Sequence, residues 1–362
     1  MALAVKENLP LMYLAGGITP DFRTINDFRG KTLKDSLQKL FAEIVKLLVK
    51  EGYLSLDIQY IDGTKIESAA NKYTFVWRGS VEKYKEKLEV KINKVLSDIE
   101  DSIHSDNQEI NKKELPKKIN VEALKEQLSQ INKRLEEPSK KQEKELQKLQ
   151  NEYLPKLEQY EKSLEIMGDR NSYSKTDTDA TFMRMKDDHM KNGQLKPTYN
   201  AQISTENQFI THVSIHQTPS DTTTLESHLN GFEKNYQKQS KEVCADAGYG
   251  SEENYEMLER KGVKGYIKFS FFHIEQKKKQ KEDPFLVQNM YYNLKEDYYV
   301  CPMGQKLRNV GKGKRISSNG YKSEIAYYQA QRCEGCPLRG LCHKSKGNRR
   351  IEVNYRLNQL KS

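Results

Sequence analysis

Residues 241–250 read KEVCADAGYG, and residues 53–65 read YLSLDIQYIDGTK. Each stretch is rich in β-forming residues and runs into an aspartate that glycine follows within one or two positions. This pattern predicts a strand and then a tight turn. Asp62 and Asp246 therefore occupy the same predicted setting, the C-terminal edge of a strand. If the two strands are neighbours, their carboxylates converge at one end of a sheet.

Two converging carboxylates favour a divalent-cation site. Hard carboxylate oxygens suit Mg²⁺ or Mn²⁺. Two such ions about 3.5–4 Å apart can activate a water or a 3′-hydroxyl and stabilise the leaving oxygen of a phosphodiester. For either aspartate alone, a plain turn residue is the alternative, because Asp and Gly are common turn formers.

The surrounding residues 171–270 predict a compact α/β unit. KPTYNAQIST (196–205) and NQFITHVSIHQ (207–217) predict a hairpin of strands. SDTTTLESHLNGFEKNY (220–236) predicts a helix capped by Ser220 or Asp221, SEENYEMLERKG (251–262) a second helix, and VKGYIKFS (263–270) a strand. Cys244 lies inside a predicted strand and is expected in the core.

Two other regions predict helices. TLKDSLQKLFAEIVKLLVKEG (32–52) places apolar residues at three-and-four spacing, so residues 1–52 are expected to be helical and to end near Gly52. Residues 80–167 contain no glycine and carry heptad-like seams. With Pro116 and Pro138 as breakers, they predict long helices that fold back as an antiparallel hairpin. Their charges are typical of a solvated helix face, with DNA contact as the alternative.

Four cysteines crowd the last part of the chain: Cys301, Cys333, Cys336 and Cys342, spaced C-x31-C-x2-C-x5-C. A C-x2-C knuckle brings two thiolates to one tetrahedral ion, and two further cysteines complete a closed structural Zn²⁺ site. Neighbouring glycines and prolines supply the turns. Unligated thiols in a reducing compartment are the alternative, and His343 is a possible substitute ligand.

Composition limits the classes of function. The 362 residues are 36% hydrophobic and 31% charged, with a formal net charge of +10. This charge suits a polyanionic partner, although a merely soluble basic protein is also compatible. The sequence contains no run of about 20 apolar residues and no convincing signal peptide, so we expect a cytoplasmic protein without membrane partners.

Other residue types are less informative. The histidines 189, 212, 216 and 228 form no metal motif, and we expect them on the surface or in strands. Trp77 is expected to pack in a core, with stacking on a nucleobase as the alternative.

Taken together, several blocks resemble bacterial insertion-sequence transposases of the DDE type, in the group with a cysteine-rich insertion. The blocks are PDFRTINDFR (20–29), YIDGTKIESAANKYTFVW (60–77), DTDATFMRMKDD (177–188), PTYNAQIST (197–205), DTTTL (221–225), ADAGYGSEENYE (245–256), CPMGQKL (301–307) and CEGCPLRGLC (333–342). Their common order makes the resemblance specific, although no single block would suffice.

The resemblance implies an α/β, RNase H-like catalytic domain with a mixed sheet and flanking helices. Its expected parts are residues 53–79 and 171–270, with a helical hairpin inserted at 80–170 and the cysteine-rich insertion at 271–350. Residues 1–52 are expected to be the remnant of an N-terminal helical domain and 351–362 a shortened C-terminal tail. Transposon-end and target DNA, Mg²⁺ or Mn²⁺, and homo-oligomerisation of the complete protein are also implied.

Asp62 and Asp246 look like the first and second metal-binding acids of this family. The family's third acid is a glutamate on a helix after the cysteine-rich insertion, and NRRIEVNYRLNQLKS (348–362) looks like the segment that precedes it. Glu352 lies in a strand-like stretch, so the role is not transferred to it. We therefore expect DNA binding without cleavage by this chain. The alternative is a catalytically inactive DNA-binding remnant.

Overall fold

The computed structural model describes residues 2–106, 119–134, 139–185, 193–317 and 319–361. In chain order its helices are α1 (Ala4–Glu7), α2 (Leu9–Leu14), α3 (Phe22–Asp27), α4 (Leu37–Lys50), α5 (Arg78–Asp106), α6 (Val121–Arg134), α7 (Lys140–Lys148), α8 (Leu154–Met167), α9 (Leu225–Tyr236), α10 (Glu252–Arg260), α11 (Phe272–Glu275), α12 (Lys278–Glu282), α13 (Arg339–Cys342) and α14 (Tyr355–Leu360). The strands are β1 (Ile58–Glu67), β2 (Phe75–Trp77), β3 (Ser172–Ser174), β4 (Thr181–Arg184), β5 (Leu195–Glu206), β6 (Phe209–His216), β7 (Glu242–Ala245), β8 (Lys264–Ile267), β9 (Tyr291–Asn293), β10 (Tyr298–Val300), β11 (Lys306–Ile316), β12 (Lys322–Ala330) and β13 (Arg350–Val353).

The chain divides into two compact units. The sheet unit comprises Met1–Thr64, Ala201–Ser214 and Ser220–Ser362, and the helical unit comprises Lys65–Asn200 and Ile215–Pro219. The long strands β1 and β5 each contribute residues to both. Both candidate aspartates and all five cysteines belong to the sheet unit.

A mixed sheet forms the centre of the sheet unit, in the order β5-β1-β7-β8, with β6 paired to β5. β1, β7 and β8 run parallel to one another. The strands and helices predicted over residues 196–270 are present, and the α/β class is confirmed. The turn predicted after Asp62 is wrong, because β1 continues through Gly63 to Glu67.

One face of this sheet is packed and the other is exposed. Ile61 and Val243 pack against Leu229 of α9 and Leu258 of α10 in a shared apolar core. On the opposite side, Tyr60 and Tyr266 are about half exposed. Cys244, expected in the core, lies at the paired position between them and is only partly buried.

The predicted amphipathic helix is α4, and it ends beside Gly52, whose φ of +82° suits a glycine after a helix. Val45 and the partly buried Phe41 pack against Phe232 of α9. Four other residues of the expected apolar face remain exposed, namely Leu37, Leu40, Ile44 and Leu47. The apolar pattern therefore predicted the helix correctly but only part of its packing.

The cysteine-rich region contains more regular structure than its sequence indicated. Its strands form an antiparallel sheet in the order β13-β12-β11-β10-β9. The core of this sheet includes Leu307, Tyr328 and Ile351. Arg356 of α14 contacts Glu256 of α10 with an N–O distance of 2.9 Å, which links this sheet to the central one within the sheet unit.

The helical unit contains the expected antiparallel pair. Lys85 near the start of α5 contacts Glu161 of α8, whereas Ser102 near its end accepts a hydrogen bond from Gln142 of α7. A further helix, α6, packs on α8 through Lys125 and Glu158, so the expected two-helix hairpin is wrong in the number of its helices. The heptad-like leucines of α6 are buried in a common apolar core with residues of α5 and α8. Pro116 and Pro138 lie outside the described residues.

Trp77 lies in β2 of the helical unit, partly buried, and its ring packs 5.9 Å from that of Phe182. The structure therefore shows the Trp77 side chain packed against another aromatic residue, in line with the expected packing role. Among the helices of the described residues, none is both long enough and apolar enough to cross a membrane.

Candidate functional site

Asp62 and Asp246 follow directly on paired positions of neighbouring parallel strands. In the register of β1 and β7, Ile61 lies opposite Ala245, and each aspartate is the next residue. The predicted adjacency of the two strands is thus confirmed. Both aspartates are exposed to solvent.

Strand alternation places Asp62 on the exposed face of the sheet. Exposure alternates along β1, with Tyr60 and Asp62 exposed and Ile61 and Gly63 buried. The Asp62 carboxylate therefore lies on the side that α9 and α10 do not cover. A ligand can approach the Asp62 carboxylate from that side without displacing the core.

Backbone amides orient both carboxylates. The Gly63 N–H donates to Asp62 Oδ1 at 2.8 Å, and the Gly248 N–H donates to Asp246 Oδ1 at 2.8 Å. Asp246 thereby caps the short 3-10 turn Ala247–Tyr249. One oxygen of each carboxylate is fixed by these bonds, which limits the orientations of the other.

A third aspartate, Asp221, lies beside Gly63 of β1 and Gly248 of the turn after β7, and its sequence predicted only a capping role. A Cβ atom at Gly63 would stand 2.9 Å from Asp221 Oδ1, and one at Gly248 would stand 3.7 Å from Asp221 Oδ2. The next residue, Thr222, donates a hydrogen bond to the Gly248 carbonyl at 2.8 Å. Because Asp221 adjoins the buried Gly63, it lies on the core side of β1, whereas Asp62 lies on the exposed side. The DTTTL motif (221–225) was the only sequence signal for a site role of Asp221, and a helix-capping aspartate was an equally good explanation of that motif.

A buried network holds Asp221 in place. Gln202, fully buried, donates to Asp221 Oδ1 at 3.1 Å and accepts a hydrogen bond from the Tyr249 hydroxyl. Asn254 donates to the Tyr249 carbonyl at 2.7 Å and to the Thr222 carbonyl at 2.9 Å. Burial, followed by the charges of Asp221, Asp246 and Asp62, raises the pKa of Tyr249 well above its usual range. Tyr249 therefore stays a neutral hydrogen-bond donor at every physiological pH.

No complete metal cluster accompanies the two aspartates. Within the described ranges, no three His, Cys, Asp or Glu side chains are placed to hold one metal ion. Glu352 lies in β13 opposite Tyr327, in the antiparallel sheet and not on a helix. The following helix α14 reads YRLNQL and contains no acidic residue.

His212 lies in strand β6, as expected, whereas His228 lies in helix α9, and both side chains are buried. The rings of His212 and His228 are in contact, with centroids 4.7 Å apart and planes tilted by 50°. Ser204 and Ser214 lie within hydrogen-bond distance of the two His228 ring nitrogens, at 2.7 and 2.6 Å. The expectation is wrong for His228 alone, because the two serines pair with both of its ring nitrogens and so allow the imidazole to be buried within a helix. His189 lies outside the described residues.

The four late cysteines line one small cavity, together with His343 and Arg349. All cysteines of the chain are described, and none of them is in a disulfide. The structure thus places Cys301, Cys333, Cys336 and Cys342 on the lining of the same cavity, and their convergence on a Zn²⁺ site stays a prediction. Their distances do not by themselves define a metal centre, as the absence of a cluster among the described residues indicates.

A basic β-ribbon extends the same sheet. β11 and β12 pair along their whole length, from Leu307 opposite Ala330 to Ile316 opposite Lys322. Lys314 and Arg315 are exposed near its tip. A two-stranded ribbon of this kind has the dimensions of the DNA major groove.

Comparison with known families gives one match. A family model described as a transposase DDE domain matches residues 300–362. The matched segment spans β10 to α14 and includes the four clustered cysteines, but it does not reach Asp62 or Asp246. This match supports a transposase of the DDE class. Neither the curated proteins nor the solved structures give a significant match to the chain.

Proposed function

We propose that this chain acts in DNA transposition, as the RNase H-like part of a DDE transposase whose divalent-cation site is formed by Asp62 and Asp246. The observation that carries the proposal is the register of β1 and β7, in which Ile61 pairs with Ala245 and each aspartate is the next residue of its chain segment. The family match downstream supports the same class. DNA is the partner that this class and the net charge of +10 imply.

The residues present suit a hard cation. Each aspartate keeps one oxygen on a backbone amide and leaves the other for a ligand. Mg²⁺ or Mn²⁺ at this place would polarise a phosphodiester and the attacking water or 3′-hydroxyl. Asp62 and Asp246 would hold the ion from one side, and Asp221 and Gln202 would fix the backbone that carries them.

Two aspartates supply too few oxygens to position cations for in-line phosphoryl transfer. We propose that a third acid comes from another segment or another polypeptide and approaches the exposed face that carries Asp62. Misplacement by about 1 Å can cost about a hundredfold in rate, so the described residues alone should bind DNA without cutting it.

A nicking assay on supercoiled plasmid DNA with Mg²⁺ or Mn²⁺ tests this division of roles. We expect no cleavage by this chain. Robust cleavage that Asp62→Ala abolishes would show that an acid within the chain completes the site, and Glu352→Gln would then be the first variant to examine.

DNA binding is tested separately by fluorescence anisotropy with a duplex oligonucleotide at about 50 to 200 mM salt. Lys314→Glu with Arg315→Glu should weaken binding and make log K less steep in log salt by about 0.9 for each lost phosphate contact. The matched control is Lys83→Glu with Lys87→Glu, exposed on α5, which changes net charge equally. Equal losses in the two variants would place binding elsewhere, and no binding by the unaltered chain at low salt would overturn the proposal.

The alternative function is DNA binding by a catalytically inactive remnant. It is favoured by the lack of a three-ligand cluster among the described residues. Both functions share one fold, and they differ in whether a third acid reaches Asp62 and Asp246. Metal-dependent cleavage restored by adding a separate polypeptide that carries a glutamate-bearing helix would exclude the remnant.

The cysteine cavity is our second proposed metal site, of a structural kind. Cys301, Cys333, Cys336 and Cys342 were the expected Zn²⁺ ligands, and their common cavity supports the location. Its thiols differ chemically from the carboxylates, so its occupancy would be independent of the proposed catalytic ions.

A further inference from the structure

The loops that carry the cysteines are built alike. Cys301 starts a turn in which the Gly304 N–H donates to the Cys301 carbonyl at 2.8 Å, and Gly304 has φ +78°. Cys333 starts a second turn, in which the Cys336 N–H donates to the Cys333 carbonyl at 3.4 Å and Gly335 has φ +72°. Residues with a side chain rarely adopt such φ values, so both turns depend on glycine. They bring Cys301, Cys333 and Cys336 to the wall of one cavity.

Two sulfurs already accept hydrogen bonds. The Arg349 backbone N–H donates to Cys333 Sγ at 3.3 Å, and Arg349 Nη1 donates to Cys342 Sγ at 2.8 Å. Such donors stabilise thiolate charge around metal centres. The two bonds differ in kind, because a guanidinium pairs with the Cys342 sulfur as a cation and competes with a metal ion for it.

The imidazole of His343 is oriented but incompletely bonded. Its Nδ1 lies 2.8 Å from Ser345 Oγ. Its Nε2 is buried and has no hydrogen-bond partner. A buried polar atom without a partner is costly, and in metal sites the second ring nitrogen of a ligating histidine is typically held by such a hydrogen bond. His343 therefore has the arrangement of a metal ligand on the wall of the cysteine cavity.

We propose that the cavity binds one thiophilic divalent cation of the Zn²⁺ type through Cys301, Cys333, Cys336 and His343, while Cys342 stays paired with Arg349. Three thiolates and one imidazole complete a closed tetrahedral site. The side chains are not at ligand distances from a common point, so binding requires them to rotate into the cavity. The ion would join the ends of β10 and β12 to the segment before β13.

Metal analysis and Co²⁺ substitution of the whole chain test the ligand set. We expect one Zn²⁺ per chain and a tetrahedral Co²⁺ spectrum of three sulfurs and one nitrogen. His343→Ala should weaken binding by at least about 100-fold, beyond the effect of losing an outer partner. Cys342→Ala should retain the metal and the spectrum. His273→Ala and Cys244→Ser, outside the cavity, are the matched controls.

Two results would overturn the proposal. Loss of the metal in Cys342→Ala with retention in His343→Ala would show a four-cysteine site. Failure of the unaltered chain to bind either Zn²⁺ or Co²⁺ would show that the cavity is not a metal site. The spectrum of the unaltered chain reports the number of sulfur ligands, so the test holds even if a variant misfolds. It does not depend on DNA or on Asp62.

Discussion

The aspartate end of the central sheet and the cysteine cavity of the antiparallel sheet are both candidate metal sites, but they are built differently. Asp62 and Asp246 are exposed, and their supporting network lies behind them on the core side. The cysteines border a cavity beside an apolar core, with Cys333 itself buried. The first arrangement leaves ligands accessible to a substrate, whereas the second is suited to holding a fold together. The proposed roles, in reaction for the aspartates and in stability for the cysteines, are compatible with this difference.

The largest expected effect is on the stability of the cysteine-rich sheet. Leu307 is fully buried there, so Leu307→Ala should lower the free energy of unfolding by about 2–5 kcal/mol. Asp62→Ala is an exposed substitution and should change it by no more than about 0.5 kcal/mol. Urea denaturation measures both, with the exposed Leu294→Ala as control. A large loss of unfolding free energy in Asp62→Ala would show that the aspartate end of the sheet also contributes to stability.

An intermediate effect is expected at Gly63. A Cβ atom there would lie 2.8 Å from Gln202 Nε2 and 2.9 Å from Asp221 Oδ1, both held in the buried network. Gly63→Ala should therefore destabilise the protein by about 1–3 kcal/mol, the range for overpacking. Gly79→Ala has open space around it and serves as the control in thermal unfolding. A melting temperature of Gly63→Ala equal to that of the unaltered chain would show that Gln202 and Asp221 can shift at little cost in free energy.

The smallest effect concerns Asp297, a carboxylate of the antiparallel sheet. A hydrogen bond from Tyr328, then those from Tyr292 and Asn309, holds its pKa below the usual value despite partial burial. Its contribution to stability is present above the unfolded pKa of about 3.9 and is lost as pH falls through the lower folded pKa. The stability difference between the unaltered chain and Asp297→Asn should therefore shrink below about pH 4. A difference that does not change with pH in urea titrations would contradict this assignment.

Local patterns in the sequence predicted the strands and helices of the central sheet well. Runs of β-forming residues that end in Asp and a nearby Gly predicted β1 and β7. These two strands pair with each other in parallel, so Asp62 and Asp246 follow paired residues. The same Asp-Gly signal misplaced the end of β1, because the need for glycine at position 63 comes from Gln202 and Asp221, which are distant in sequence. The resemblance to DDE transposases named both aspartates but gave Asp221 no role.

Contacts between distant residues account for the remaining failures. His228 was expected outside the core because nothing nearby in sequence indicated that Ser204 and Ser214 would bond it. The antiparallel sheet was missed because β11 is mostly exposed and charged, so its alternation is weak. The spacing of the cysteines gave no indication of how Cys342 and His343 differ, because that difference depends on Arg349 and Ser345.

The most direct test of the central claim is a Mn²⁺ titration followed by electron paramagnetic resonance. The unaltered chain, Asp62→Ala, Asp246→Ala and Asp57→Asn would be compared. Asp57 directly precedes β1 but pairs with Lys238 and Lys241 at 2.7 and 2.9 Å, away from the site. We predict that either alanine variant loses the Mn²⁺ site and that Asp57→Asn keeps it. Equal Mn²⁺ affinity in all four proteins would show that Asp62 and Asp246 do not form the divalent-cation site.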